Sequence, residues 1–326
     1  MVTSSSEMAL LRHQLKKNSD LPIIWPMNAV GVKDDAQLNQ LLDDSAFVGQ
    51  EKLDGMRAII HVTKDGLRIF SRSAGVADPT RPLEKTSALP HLAEIILPGL
   101  NGTILDSEIL LPGEDSATLS GTVHSKNRNG QNHLVKIFVF DILRYRCSDL
   151  MSTVYDERLT VLDEVKLQLS SPYITVLPVA DTSKSKHSLY NSVLKSGGEG
   201  ILLKRLDAFY YPASRPQNNW YKAKRSATFD CVIMGFTKGK GKYNTRIGAV
   251  KFGQYVNGKL VELGQASGMN DAIRADMSDN PSSWIGRVIA IKGMERLKSG
   301  AVRHPQYDRI RFDKKPEDCV WYQEEQ

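Results

Sequence analysis

The sequence predicts an α+β chain in two parts: a larger mixed part with antiparallel sheets and flanking helices, then a small β-barrel. Three observations carry this. The chain has 326 residues, about twice the roughly 150 residues of a common domain. Up to about residue 226, strand-like runs alternate with segments whose leucines and valines recur at helical spacing. Beyond that point the texture changes to short β-prone runs separated by Gly, Asn and Lys turns. The expected division is 1–226 and 227–326.

In the first part, Glu7 to Arg12 reads as a short amphipathic helix behind a serine-rich tail. Leu21 to Met27 is extended, because Pro22 and Pro26 bias the residues before them away from helix. Asp34-Asp35 caps a helix through Leu42, with Leu38, Leu41 and Leu42 on one face. Leu67 to Ser71 alternates as a half-buried strand, His91 to Leu97 is a short helix, and Gly102 to Leu111 is a strand carrying Asp106 and Glu108. Residues 125–132 are polar and glycine-bearing, which predicts a mobile loop. Val135 to Leu143 reads as a central strand, and Tyr155 to Leu169 as a helix with Leu159, Leu162, Val165 and Leu169 at helical spacing. A strand at Val176 to Val179, a helix near Leu189 to Lys195 stopped by Gly197-Gly198, and a strand at Gly200 to Lys204 complete this part. In the second part, Val232–Phe236, Ile247–Phe252, Lys259–Leu263, Trp284–Ile291 and Arg309–Phe312 are strands, and Asn270–Met277 is helical. Five short strands and one helix in about 100 residues fit a Greek-key barrel such as an OB-fold.

Composition excludes several classes. Three scattered cysteines, Cys147, Cys231 and Cys319, indicate neither a disulfide framework nor a zinc site. There is no apolar leader and no run of roughly 18 apolar residues, so the expectation is a soluble, intracellular protein with no membrane partner. The net charge of +6 and pI near 9.0 are compatible with a polyanionic partner. The bias is concentrated at the end: residues 227–326 hold 16 Lys/Arg against 12 Asp/Glu, the rest 27 against 25.

The stretch Gln50-Glu51-Lys52-Leu53-Asp54-Gly55-Met56-Arg57 organises the chemistry. A lysine leaves one strand, the chain turns at Asp54-Gly55, and a second strand carries Arg57. Taken alone, it reads equally as solvated charges around an Asp-Gly turn. Lys222 and Lys224, at i, i+2 in an extended segment, share a face and could be an anion clamp or a solvated basic strand. Glu108 and Glu199 could be ligands or surface acids, and Phe140 a stacking platform or core. Gly239-Lys240-Gly241-Lys242 lacks the phosphate-loop spacing, since Tyr243 follows; Lys240 and Lys242 read as a basic turn for a DNA backbone or as an ordinary hairpin.

In order, the polar landmarks are Lys52-x-Asp54-Gly55-x-Arg57, Ser71-Arg72, Asp106-x-Glu108, Phe140-Asp141, Glu199-Gly200-x-x-x-Lys204, Trp220-x-Lys222-x-Lys224 and Arg311-x-Asp313-Lys314. This series resembles the ATP-dependent DNA ligases of the covalent nucleotidyltransferase superfamily, from about Pro26 to Lys314. The absence of a cysteine-rich module and the short stretch before Lys52 resemble the minimal two-domain type found in phages and other viruses. The resemblance implies an adenylation (nucleotidyltransferase) domain followed by an OB-fold domain, ATP as AMP donor, Mg²⁺, nicked duplex DNA as partner, and a monomer in the host cytoplasm. It implies that Lys52 is the nucleophile, with Asp54 and Arg57 in the same motif, and that Lys222 and Lys224 converge on the α-phosphate and lower the pKa of Lys52. Glu108 and Glu199 would bind ribose or metal, Phe140 would stack on adenine, Gln50 would meet the adenine edge, and Lys204 would belong to the nucleotide site. Arg57 and Arg72 would clamp nick phosphates, and Arg311 and Lys314 would orient the leaving pyrophosphate. Two relatives in the superfamily, a capping guanylyltransferase and an RNA ligase, and a non-catalytic nucleic-acid-binding module are the rival readings.

Overall fold

The computed structural model describes residues 21–75, 78–124, 132–294, 296–297 and 299–321. The predicted helix at Glu7 to Arg12 and most of the predicted mobile loop lie outside them. The described chain divides into two compact units between Ala223 and Lys224, three residues before the boundary read from composition. Among the described residues, no helix is long and apolar enough to cross a membrane.

In chain order, the strands of the first unit are β1 (Val30–Gly31), β2 (Phe47–Glu51), β3 (Met56–Thr63), β4 (Gly66–Ala74), β5 (Pro82–Glu84), β6 (Thr103–Leu110), β7 (Lys136–Tyr145), β8 (Ser148–Asp149), β9 (Ile174–Val176), β10 (Gly200–Arg205) and β11 (Trp220–Lys224), the last ending at the unit boundary. They form a small sheet of order β1-β11-β10-β2 and a larger one of order β5-β4-β3-β6-β7-β8, with β9 added against β7. The helices are α1 (Asp35–Asp43), α2 (Pro90–Ala93), α3 (Ser116–His124), α4 (Tyr155–Val165) and α5 (Ser183–Lys195).

Local sequence accounts for many of these boundaries. Asp34 caps α1 by accepting from the Gln37 amide at 2.8 Å, and Leu38, Leu41 and Leu42 are its buried face. Thr182 and Ser185 close a capping box at the start of α5. Helix α2 stops at Ala93, short of the predicted Leu97. The middle of the larger sheet is buried on both faces, so Leu67 to Ser71 of β4 are not the half-buried stretch their alternation predicts. Ile60, Val62, Leu67 and Ile69 enter one core, while Ile59 and Phe70 enter a second with Phe140, Tyr155 and Trp220. Successive side chains point to opposite faces, and here both faces are covered.

The second unit contains β12 (Ala227–Lys238), β13 (Ile247–Val256), β14 (Lys259–Ala266), α6 (Asp271–Asp279), α7 (Pro281–Trp284), β15 (Val288–Gly293) and β16 (Gln306–Ile310). Strand order is β14-β13-β12-β15-β16. The Tyr307 amide donates to the Ser267 carbonyl at 2.8 Å, and a parallel bridge joins Ser267 to Gln306. That contact ties the β14 end back to β16 and closes a five-stranded OB-type barrel. Cys231, Ile233, Phe252, Met277 and Ile291 lie in its core. Two sequence expectations are corrected. Trp284 ends a helix that begins at Pro281 rather than opening a strand, because proline suits the first helical turn. Strand β16 stops at Ile310, so Arg311 to Lys314 lie in the turn beyond it.

Candidate active site

Register brings the motifs of the first unit together. Strands β2 and β10 pair antiparallel with Glu51 opposite Ile201, and the Lys52 amide donates to the Gly200 carbonyl at 2.9 Å. One step further in this register sets Lys52 opposite Gly200, the neighbour of Glu199, and Lys52 Nζ donates to Glu199 Oε2 at 2.5 Å. The amine is partly accessible, whereas the carboxylate side chain is only 4% exposed. β2 and β3 do not pair with each other; the Asp54-Gly55 bend carries the chain from the small sheet to the large one. Gly55 is needed there: a Cβ would lie 2.3 Å from the Ile109 carbonyl oxygen and 2.9 Å from Glu108 Cγ.

Strand β3 pairs with β6 so that Arg57 lies opposite Glu108 and Ile59 opposite Asp106. The Arg57 side chain takes the diagonal. Its Nε and Nη2 donate to Asp106 Oδ1 and Oδ2 at 2.7 and 2.6 Å, and Nη2 also donates to the Met27 carbonyl at 3.2 Å. Tyr210 completes the carboxylate's shell, donating to Asp106 Oδ2 at 2.6 Å while accepting from the Met27 amide. Burial alone would lower the guanidinium pKa; Asp106 more than reverses this, and the pKa is raised. Arg57 is therefore not reaching outward as the phosphate clamp expected from its type. A bidentate carboxylate in a covered site holds its fork.

Glu108 is partly buried between these groups, and its pKa is pushed up to about 7. Burial is the main cause; Arg57 and Lys52 oppose it, and the nearby Asp106 and Glu199 reinforce it. Behind the ion pairs lies an aromatic floor. The Arg57 guanidinium carbon sits 4.9 Å from the Phe140 ring centre and 5.6 Å from that of Trp220. Lys204, fully buried, places Nζ 4.3 Å from Phe140 and 4.2 Å from Trp220, and donates to the Phe140 carbonyl and the Tyr155 hydroxyl, each at 3.2 Å. Burial lowers the Lys204 pKa to about 7. Two expectations change accordingly. Phe140 is a buried core residue with the Arg57 and Lys204 cations 4.9 and 4.3 Å from its ring centre. Lys204 supports the floor rather than presenting its ammonium to a ligand.

Gln50, expected at an adenine edge, is buried, with Oε1 accepting from Tyr155 and Nε2 donating to the Leu177 carbonyl. Asp54 is half-buried in the turn, Lys222 is half-buried and Lys224 exposed on β11, and Arg72 is exposed on β4. Lys240 and Lys242 are exposed around the 3-10 turn after β12. In the second unit, Arg311 donates to Asp313 and Asp230, and Lys314 lies 3.6 Å from Asp230. Sequence reasoning named Asp106 and Trp220 within motifs but missed Asp106 as the partner of Arg57 and Trp220 as part of the aromatic floor; it missed Tyr155 and Tyr210 as site residues altogether. Asp106 had a signal, sharing a strand face with Glu108 at i, i+2; Tyr210 had none.

Residues 26–224 match the family model for an ATP dependent DNA ligase domain. A probable DNA ligase of Dictyoglomus turgidum is 30% identical over 227 residues, covering 63% of this chain and 37% of that protein. A DNA ligase of Methanothrix thermoacetophila is 26% identical over 321 residues, covering 87% of this chain and 56% of that protein. The chain thus spans about half or less of these relatives. Among solved structures, one from a structure-function study of Lig E DNA ligases aligns with a TM-score of 0.60 at 19% identity, over 87% of this chain and 99% of that one. Another, named Pmar-Lig_Pre, aligns at 0.65 and 20% identity over 96% of this chain and 73% of that one. At such identities the likeness shows the fold, a nucleotidyltransferase unit followed by an OB-fold unit. With its family domain covering well over half its length, the chain belongs to the ATP-dependent DNA ligase family.

Proposed function

We propose that this chain seals 5′-phosphate/3′-hydroxyl nicks in duplex DNA using ATP, with adenylation chemistry in the first unit and Lys52 as nucleophile. The observation that carries this is the Lys52–Glu199 pair at 2.5 Å, inside the matched domain and beside Glu108. Lys52 must leave the ion pair and give up a proton, for which Glu199 is the nearest acceptor. Its nitrogen then bonds to the α-phosphorus of ATP as the bond to pyrophosphate breaks. AMP next passes from Lys52 to the 5′-phosphate at the nick, and the 3′-hydroxyl displaces AMP to form the phosphodiester. Lys222 and Lys224 are assigned to the charge that develops on the α-phosphate.

The residues also fit Mg²⁺. Glu108 and Glu199 are oxygen donors that feel each other's charge, and no cluster of three or more His, Cys, Asp or Glu forms a cage among the described residues. Mg²⁺ takes few protein carboxylates and keeps waters. Glu108 and Glu199 would hold it, and it would supply positive charge to the phosphate oxygens.

The test is incubation of the chain with labelled ATP and Mg²⁺, followed by denaturing electrophoresis. A covalent adenylate is expected, and both Lys52→Ala and Lys52→Arg abolish it, because arginine cannot deprotonate to attack phosphorus. A normal yield from either variant overturns the assignment, and labelling by GTP in place of ATP points to a capping enzyme. For Arg311 and Lys314 we propose work on the leaving pyrophosphate. Arg311→Ala or Lys314→Ala then lowers self-adenylation by on the order of 10²–10³, while sealing of a nick already adenylated at its 5′-phosphate survives much better. Equal loss of both activities sinks that role.

A further inference from the structure

The second unit holds its two motif cations on one carboxylate that no motif contains. Asp230, on β12, accepts from Arg311 Nη1 at 2.8 Å and lies 3.6 Å from Lys314 Nζ. Asp313 takes Arg311 Nε and Nη2 at 2.9 and 2.8 Å. Three of the five guanidinium N–H groups are thereby engaged, and the side chain is only 19% exposed. The formal charges of Arg311, Lys314, Asp230 and Asp313 sum to zero. Beside them runs a groove of about 420 Å³ lined by Arg287, Arg311, Phe312 and Lys314, among others, with the Phe312 ring 84% exposed.

The two acids differ in kind. Asp313 is two residues from Arg311 and travels with it, so it can orient the fork without confining it. Asp230 belongs to β12, outside the turn that carries the two cations, and anchors both to the barrel wall. A polyphosphate approaching Arg311 and Lys314 competes with Asp230 for the same N–H groups. Resting on the pyrophosphate role given above for these two cations, we infer that Asp230 is a positioning residue that restrains Arg311 and Lys314 and competes with the polyphosphate of ATP or with pyrophosphate for them.

Support and competition predict opposite signs. Asp230→Asn keeps the size and an acceptor oxygen but removes the negative charge. If Asp230 competes, the variant has a KM for ATP in self-adenylation lowered about five-fold, and inorganic pyrophosphate inhibits it about five-fold more strongly, the scale of partly exposed ion pairs. Adding Arg311→Ala to Asp230→Asn removes most of that gain, because the charge acts through Arg311. The full chain is used throughout, with thermal unfolding to show that each variant is folded; Asp230→Ser serves as a second variant. An unchanged KM, or a KM raised and a rate lowered in the manner of Arg311→Ala, overturns the inference and leaves Asp230 as a mere support. If Arg311→Ala itself adenylates normally, the pyrophosphate role fails first and the inference falls with it, a result distinguishable because it does not involve Asp230.

Discussion

Glu108 shows how one side chain couples burial to chemistry. A carboxylate is needed for it to hold ribose or a cation, yet burial pushes its pKa up to about 7 despite Arg57 and Lys52. Self-adenylation is therefore expected to rise with pH across about 7, and Glu108→Gln should lower the rate and remove that inflection. A pH profile unchanged in the variant would assign the inflection elsewhere. The same shift bears on stability. Between its ordinary value of 4.5 and about 7, the folded chain keeps a proton that the unfolded chain has released, so this group makes stability fall as pH rises through that window. Lys204 has the opposite sign. Between about 7 and 10.5 the unfolded chain holds the proton that the buried amine has lost, and stability rises with pH.

At the scale of elements, the site depends on how α4 is fastened to β7. Arg158 on α4 donates through Nε and Nη2 to Asp141 on β7, both at 2.9 Å, and both side chains are fully buried. Arg158 Nη1 also donates to the Thr153 carbonyl at 2.8 Å. Asp141 follows Phe140 directly, and the Tyr155 hydroxyl on the same helix lies 3.2 Å from the Phe140 carbonyl. Removing one partner of such a pair strands the other charge in the core. Arg158→Ala is expected to lose about 3–5 kcal/mol of stability, read as a shift of the urea midpoint. A loss below about 1 kcal/mol would show that water or another cation reaches Asp141.

For the molecule as a whole, the proposed substrate is a polyanion, so the distribution of charge is what matters. Its net charge is +6, of which +4 falls in residues 227–326, and Arg72, Lys240 and Lys242 are exposed. Nick affinity should fall linearly on a log–log plot against salt, with a slope of about −0.9 for each phosphate neutralised. Lys240→Ala and Lys242→Ala should each reduce the slope by about one. Binding indifferent to salt between about 50 and 200 mM would remove the backbone grip proposed for these residues.

By itself, the sequence determined the two-part division, the existence and type of most elements, and the turn that follows Lys52. These depend on patterns of period 2 and 3.6, on caps such as Asp34 and on glycines such as Gly55, all of which act within a few residues. Only the tertiary structure decided which charges meet. Lys52 and Glu199 are 147 positions apart, and Arg57 and Asp106 are 49 apart; strand register, not local pattern, makes them neighbours. It also decided what is covered. Phe140, Gln50 and Lys204 carry residue types that suit a ligand, but the layer formed by Tyr155 and Trp220 encloses them. Burial is a sum over distant segments, and no single stretch of sequence contains that sum.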